Sequence, residues 1–353
     1  MWNNRTSRMG YGNQPVSSRS SVDLATYDFV KTSNPRKIIT YTGSKDRLLP
    51  QLVWLANDAA KRYDLTRYLE PFGGSGALLL NHQFLFDQYW YNEANTAVYS
   101  LMLALSDVRY VHSVIDRLKV LGVGKRVFHQ AKKELDLDEK GEKLLTLVEC
   151  AVYAYITIMQ SYGGGRESFN PIFARNPKEE KRYYTQVQKL DTFLPFLSQV
   201  KMTNEDALKL LKDTLYEGAR LIFADPPYHP EAYLDMSGNR HYGKYSWTVE
   251  QHRTLVDLLL TTHSKVILSG YDNDDYRKLE THGWRKLFLG KLRVPTSSKG
   301  KAGLEYCWIN FEISSYLEES FAKAAYLNPL DMNGIQQQTP IEGVFTNGRE
   351  GLK

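Results

Sequence analysis

The chain has 353 residues, of which 42% are hydrophobic and 12% are aromatic, and its net charge is +5. A chain of this size and composition can bury a large core in two lobes. No apolar run approaches the roughly 18 residues of a membrane helix, and the polar start "MWNNRTSRMGYGNQPVSSRSS" lacks the apolar segment of a signal peptide. These features exclude a membrane-spanning or secreted protein, and we expect a soluble cytoplasmic one.

Polar, aperiodic stretches lie at both ends of the sequence. Residues 1–35 are rich in Ser, Arg and Asn, and residues 319–353 include "LNPLDMNGIQQQTPIEGVFTNGREGLK". Such stretches bury too little apolar surface to join a core. We assign them as an N-terminal and a C-terminal extension.

Helix and strand patterns alternate in residues 36–104 and again in residues 201–318. In the first part, "RLLPQLVWLANDAAKRY" predicts a helix, "TRYLEPFGG" predicts a strand that enters a glycine turn, and "ALLLNHQFLF" predicts a second helix. In the second part, "ARLIFADPPY" and "SKVILSGYD" are typical of buried parallel strands, with a helix predicted for "SWTVEQHRTLVDLLLTTH" between them. The alternation predicts an α/β fold with a doubly wound sheet.

The middle of the chain, residues 105–200, has a different character. Its patterns are mostly helical, and they lead into the glycine-rich segment "SYGGGRESFNPIF" and the charged, aromatic segment "ARNPKEEKRYY". We interpret this interval as a mostly helical lobe inserted into the α/β domain.

The cysteines Cys150 and Cys307 both lie in apolar runs. They are too few for a disulfide framework or a zinc cluster. We expect both to be small core residues, and we predict no metal site.

The glycine turn "EPFGGSG" follows the first strand, where a doubly wound sheet binds its cofactor. It lacks the third glycine of the dinucleotide fingerprint and the lysine of a P-loop. The strand "YWYNEAN" then ends at Glu93, where such sheets place a carboxylate for ribose hydroxyls. Together the two features indicate an adenosyl ligand, with a solvated acid at a helix start as the alternative for Glu93.

The corner "FADPPYHP" places a charge and a ring at the end of a strand. The amino group of a nucleobase is a poor nucleophile, because its lone pair is delocalised into the ring. Asp225 and the carbonyl of Pro226 can accept its N–H bonds and favour a pyramidal nitrogen aimed at an electrophilic methyl group. Pro226 and Pro227 fix the backbone, and Tyr228 can stack on an extruded base. The alternative is a rigid turn without chemistry.

A basic segment follows, "RKLFLGKLRVPTSSKGK", with six Lys or Arg residues and no acid. Its pattern predicts a strand and a loop. Arg293, Lys299 and Lys301 suit contacts with nucleic-acid phosphates, and a solvated basic edge is the alternative.

These segments, in this order, resemble the Dam-type (D12 class) DNA adenine-N6 methyltransferases over residues 36–312. The family segment W-x-G-G-K is similar to "YTGSK", with a serine at one glycine position, and the family segment EPFxGxG is matched fully. Glu93 stands where the family usually has Asp. The cofactor-binding residues that the resemblance implies are Tyr41, Gly43, Lys45, Glu70, Phe72, Gly74, Gly76, Glu93, Asp206 and Asp225.

Three further segments extend the resemblance. "MTNEDALKLL" is similar to the segment that contacts the cofactor adenine through Asp206, for which a helix N-cap is the alternative. "YSWTVEQHRTLVDLL" resembles the helix after DPPY, and "LRVPTSSKGKAGLEYCWINF" resembles the last strands with a DNA-facing basic loop.

The lobe departs from the family pattern. Members that recognise GATC have a longer hairpin before "RGEFNVPF", whereas "MQSYGGGRESFNPIF" retains only its end, including Arg166 and Asn170. GATC is therefore not the expected target. We predict that Arg166 and Asn170 contact DNA beside a glycine-rich wedge, with a flexible loop as the alternative.

The resemblance implies a Rossmann-like methyltransferase sheet with an inserted target-recognition lobe. Such an enzyme uses S-adenosylmethionine, flips adenine out of double-stranded DNA and methylates N6. RNA adenine and cytosine N4 remain alternative targets, because the corner recognises an amino group. A catalytically idle DNA-binding subunit of a restriction system is a further alternative, and a restriction endonuclease is a candidate partner. The target sequence and the oligomeric state stay open.

Overall fold

The computed structural model describes residues 35–41, 43–83, 85–214, 217–233, 245–293 and 302–326. Its strands are β1 (Arg67–Glu70), β2 (Gln88–Asn92), β3 (Val200–Thr203), β4 (Leu221–Ala224), β5 (Lys265–Tyr271), β6 (Arg285–Arg293) and β7 (Ala302–Ile309). They form a seven-stranded sheet in the order β3-β2-β1-β4-β5-β7-β6. Strands β1 to β5 pair in parallel, and β7 is antiparallel to β5 and β6. The predicted α/β doubly wound sheet is confirmed.

The strand order reverses direction between β1 and β4, which are neighbours in the sheet. In open sheets of this kind, ligands bind at the carboxyl ends of the strands beside the reversal. Glu70 ends β1, and Asp225 directly follows β4. The topology thus brings the two predicted motifs to one edge of the sheet.

Helices cover both faces of the sheet. They are α1 (Leu49–Arg62), α2 (Ala77–Asn81), α3 (Thr96–Leu105), α4 (Val108–Leu121), α5 (Lys125–Glu139), α6 (Leu147–Met159), α7 (Ile172–Arg175), α8 (Pro177–Val187), α9 (Leu194–Leu197), α10 (Ala207–Thr214), α11 (Val249–Thr261), α12 (Asp274–Thr281) and α13 (Ser315–Tyr326). Neighbouring strand residues point to opposite faces, so Tyr68 joins one hydrophobic cluster and Leu69 joins the other. Within the described ranges, no helix combines the length and apolar character needed to cross a bilayer.

The helices α4 to α9 occupy the interval interpreted as an inserted lobe. The hydrophobic cluster under one sheet face, which includes Tyr89, continues without a break into these helices through Leu101, Val114 and Tyr155. The lobe therefore has no separate core of its own on this side. The limits drawn at residues 105 and 200 stay a prediction.

The helix predicted for "ALLLNHQFLF" is shorter than expected, because α2 ends at Asn81. His82 leaves the helical conformation and packs against Tyr68 and Phe86, at ring-centroid distances of 4.3 and 5.4 Å. Tyr89 closes this aromatic cluster, because its hydroxyl accepts the N–H of Phe86 and donates to the carbonyl of His82. Aromatic packing thus overrides the helical pattern.

Both cysteines are core residues, as the sequence predicted. The exposed fraction is 5% for Cys150 and 0% for Cys307. Burial raises the pKa of both thiols, so each remains a protonated, apolar filler.

Candidate active site

A pocket opens at the carboxyl ends of β1 and β4. The sequence-predicted residues in its lining are Tyr41, Gly43, Lys45, Glu70, Phe72, Gly74, Glu93, Asp206, Asp225, Pro226 and Pro227. Gly76 is the N-cap of α2 and Tyr228 directly follows Pro227, and neither residue is in the lining. Segments far apart in sequence therefore converge on one concave site.

Glu93 joins the glycine turn to the end of β2. Its Oε2 accepts the N–H of Gly74 and its Oε1 accepts the N–H of Asn95, each at 2.7 Å. Burial raises the pKa of Glu93, and the two N–H groups oppose that shift. With 8% of its surface exposed, Glu93 is not the solvated acid that the alternative interpretation required.

The turn needs glycine at position 73 for a reason internal to the protein. A Cβ on Gly73 would lie 2.1 Å from the ring of Tyr91. The hydroxyl of Tyr91 donates to the carbonyl of Gly74 at 2.7 Å. The small residues therefore let β2 approach the turn, in addition to any approach by a ligand.

Glu70 lies at the base of the pocket and is 1% exposed. Its Oε1 accepts the hydroxyl of Tyr68 at 2.5 Å and the N–H of Leu79 at 2.8 Å. Its Oε2 is buried and has no partner among the described residues. Burial raises the pKa of Glu70 to about 8, against the hydrogen bonds from Tyr68 and Leu79, and the charge of Asp225 adds to the rise. The Oε2 atom can hold the proton of the neutral acid, and a cationic neighbour would favour the ionised form, in which Oε2 accepts a hydrogen bond.

Side chains from distant segments hold the corner after β4. Asp225 Oδ1 lies 2.6 Å from Lys45 Nζ and accepts the hydroxyl of Ser269 at 2.7 Å. The ring of Tyr228 packs against Tyr271, with 4.4 Å between centroids. The corner is therefore tied to β5 and to the segment before α1.

Asp206 caps a helix and lines the pocket, and its contact with the cofactor adenine stays a prediction. Its Oδ1 accepts the N–H of Lys209 at 2.9 Å, so it caps α10, and it also lines the pocket. Phe72 and Trp247 line the same pocket, and their rings meet edge to face at 4.9 Å. This side of the pocket can hold a flat, polar ring system.

Several residues that shape the site were not predicted from the sequence. Asn92, which is 0% exposed, donates to the carbonyls of Pro71 and Glu205, each at 3.0 Å, and so connects three strand ends. Ser269, which contacts Asp225, and Trp247, which lines the pocket, were not predicted either. Glu305 had a visible signal, because it is an acid within the apolar strand "EYCWI".

The glycine-rich loop of the lobe packs close to the pocket. A Cβ on Gly164 would lie 2.0 Å from the carbonyl oxygen of Thr40, directly before Tyr41. The N–H of Arg166 donates to Ser161 Oγ at 3.0 Å. Burial raises the pKa of Tyr41, and the charge of Arg166 opposes the shift. Arg166 does not line the pocket. Gly164 thus packs closely against the backbone before Tyr41, and the glycine-rich wedge stays a prediction.

Among the other predicted DNA contacts, Asn170 does not line the pocket. Asn170 Oδ1 accepts the N–H of Ile172 at 3.1 Å, at the start of α7. Arg293 ends β6, whereas Lys299 and Lys301 lie outside the described residues. Contact of these residues with DNA stays a prediction.

The first basic residues of the segment 285–301 are used within the protein. Arg285 pairs with Glu318 at 2.7 Å, and Lys286 pairs with Asp272 at 2.6 Å. Any phosphate contact from this segment must come from its later residues.

The chain is similar to known proteins in sequence and in structure. The model of a family described as D12 class N6 adenine-specific DNA methyltransferase matches residues 41–287, which include the glycine turn, the lobe and the corner. Among solved structures, the chain is similar to a SAM-dependent methyltransferase from Agrobacterium tumefaciens, with 13% identity, a TM-score of 0.32 and coverage of 73% of this chain and 62% of that chain. The chain therefore spans less than two thirds of that protein. No curated protein matches the sequence.

Proposed function

Because the chain belongs to the D12 class of N6 adenine-specific DNA methyltransferases, we propose that it transfers a methyl group from S-adenosylmethionine to N6 of an adenine in double-stranded DNA. The single observation that supports this best is the corner after β4. There Asp225, Pro226 and Pro227 line the same pocket as Glu93.

The corner suits activation of an amino group. The ion pair with Lys45 holds the Asp225 carboxylate in place. A carboxylate oxygen has two lone pairs, so Asp225 can accept an N–H of the adenine amino group in addition to its present bonds. The carbonyl of Pro226 accepts the second N–H, and the lone pair of N6 is then localised towards the pocket.

The pocket residues fit S-adenosylmethionine, which supplies an electrophilic methyl group. The unused Oε2 of Glu70 is a buried acceptor suited to a cationic donor. Glu93 can accept ribose hydroxyls with its remaining lone pairs. Phe72, Trp247 and Asp206 offer two apolar rings and a carboxylate to the adenine of the cofactor.

Access to N6 requires that the adenine leave the helix. Tyr228 follows the corner and is the residue we assign to stack on the extruded base. Arg166 is assigned to read a base edge in the groove, because its loop lies beside the pocket. Arg293, Lys299 and Lys301 are assigned to phosphates.

The test is methylation of duplex DNA by the purified protein with labelled S-adenosylmethionine, followed by analysis of the nucleosides. We expect N6-methyladenine, and long-read sequencing of DNA from expressing cells then gives its sequence context. N4-methylcytosine, or labelling of RNA instead of DNA, would contradict the proposal. An Asp225→Ala protein is the control for contaminating activity.

A further inference from the structure

A buried acid contacts the corner from β7. Glu305 is 0% exposed and stands opposite Tyr271 in the antiparallel pairing of β5 with β7. Its Oε1 accepts the hydroxyl of Tyr228, and its Oε2 has no hydrogen-bond partner among the described residues. Burying a carboxylate is costly unless it is paired. The hydrogen bond to Tyr228 is therefore central to how Glu305 is accommodated.

Lys45 balances the charge of Glu305. Its Nζ lies 3.8 Å from Glu305 Oε1 and 2.6 Å from Asp225 Oδ1. Burial raises the pKa of Glu305, whereas Lys45 and the bond from Tyr228 lower it and Asp225 raises it further. The ammonium group thus allows Glu305 to serve as an acceptor in the interior.

The side chain of Tyr228 is restrained at its ring face and at its hydroxyl. Its face packs on Tyr271, with the two planes at 37°, and its hydroxyl is bound to Glu305. A tyrosine side chain has two main torsions. Fixing the face and the hydroxyl together therefore selects one orientation of the ring.

We propose that Glu305 is a positioning residue for methyl transfer, and that it acts by holding the Tyr228 hydroxyl so that the ring is oriented for the extruded base. This inference rests on the proposed function, in which Tyr228 stacks on adenine. Glu305 itself touches no substrate.

The test compares variants that break the same bond from either side. Glu305→Met removes the acceptor at similar volume, and Tyr228→Phe removes only the hydroxyl. Each should lower kcat by about threefold to tenfold, the effect of one lost hydrogen bond, with KM for S-adenosylmethionine unchanged. The double variant should be no slower than the slower single variant, because both changes break one interaction. Glu305→Gln keeps an acceptor oxygen and should restore most of the rate.

Glu280→Gln is the matched control. Glu280, in α12, accepts the indole N–H of Trp308, which lies on β7 as Glu305 does, at 3.0 Å. The Glu280→Gln change should leave kcat unaltered. Full activity in Glu305→Met, or multiplied losses in the double variant, would overturn the inference. If Glu305→Met fails to fold, the kcat of Tyr228→Phe tests the inference instead. An unchanged kcat would overturn the positioning role of Glu305, and the expected loss would support it. A wild-type protein inactive on DNA adenine would instead count against the proposed function.

Discussion

Two regions of the pocket hold their carboxylates by different means. Glu93 is fixed by backbone N–H groups of Gly74 and Asn95. Asp225 is fixed by side chains, the ammonium of Lys45 and the hydroxyl of Ser269. A backbone cradle depends on local chain geometry, whereas a side-chain cradle depends on which residues distant segments carry. We therefore expect the corner to respond to remote substitutions and the glycine turn to respond to changes of backbone conformation.

Removing the corner carboxylate should have the largest effect. Asp225→Ala is expected to slow methyl transfer by on the order of 100-fold or more, because an acceptor aimed at the reacting nitrogen is lost. Affinity for S-adenosylmethionine should change much less. Single-turnover rates and calorimetry with a cofactor analogue measure the two quantities. A near-normal rate of methyl transfer would show that Asp225 takes no part in the reaction.

Glu93→Ala should have the opposite profile. Loss of hydrogen bonds from a charged acceptor to the ribose should weaken cofactor binding by about 2–3 kcal/mol. DNA binding, measured on the same protein, serves as the control and should change little. Unchanged cofactor affinity would show that a different acid holds the ribose.

The glycine-rich loop of the lobe is also held through a backbone contact, and Gly163 and Gly164 allow that contact to be tested by the same substitution at neighbouring positions. Both have positive φ, +56° at Gly163 and +76° at Gly164, but only at Gly164 would a Cβ meet the backbone of Thr40. Gly163→Ala should lower the free energy of unfolding by about 1 kcal/mol, from backbone strain alone. Gly164→Ala should lower it by about 2 kcal/mol or more. Equal losses in urea titrations would mean that the contact with Thr40 is unimportant.

Ser269→Ala should have the smallest effect on methyl transfer. It tests directly whether side-chain contacts hold Asp225 in place. It removes one hydroxyl donor to Asp225 and should cost about 1 kcal/mol in transfer, a few-fold in rate. Ser320→Ala, whose hydroxyl bonds to Tyr316 within α13, is the control. A loss as large as that of Asp225→Ala would mean that Ser269 itself meets the substrate.

The same comparison explains what could be predicted from the sequence. Asp225 and Glu93 were found because each follows an apolar strand, and parallel strands bring their carboxyl ends together. The contact of Ser269 with Asp225 was not predicted, since nothing near Ser269 in sequence indicates what its hydroxyl contacts. Glu305 stands out as an acid within an apolar strand, but the sequence does not indicate that it contacts Tyr228. The early end of α2 was missed because the aromatic packing of His82 arises only in the folded chain. Arg166 was selected through a family motif. The sequence did not indicate that its loop packs against Thr40 through Gly164.

The placement of β7 between β5 and β6 also affects when the protein becomes competent during synthesis. The ribosome makes Asp225 well before Glu305, and at roughly 5–20 residues per second the interval between them is several seconds. Until β7 emerges, β5 can pair on the β4 side only, and Tyr228 lacks the partner of its hydroxyl. The corner therefore reaches its final set of contacts only after β7 has been synthesised.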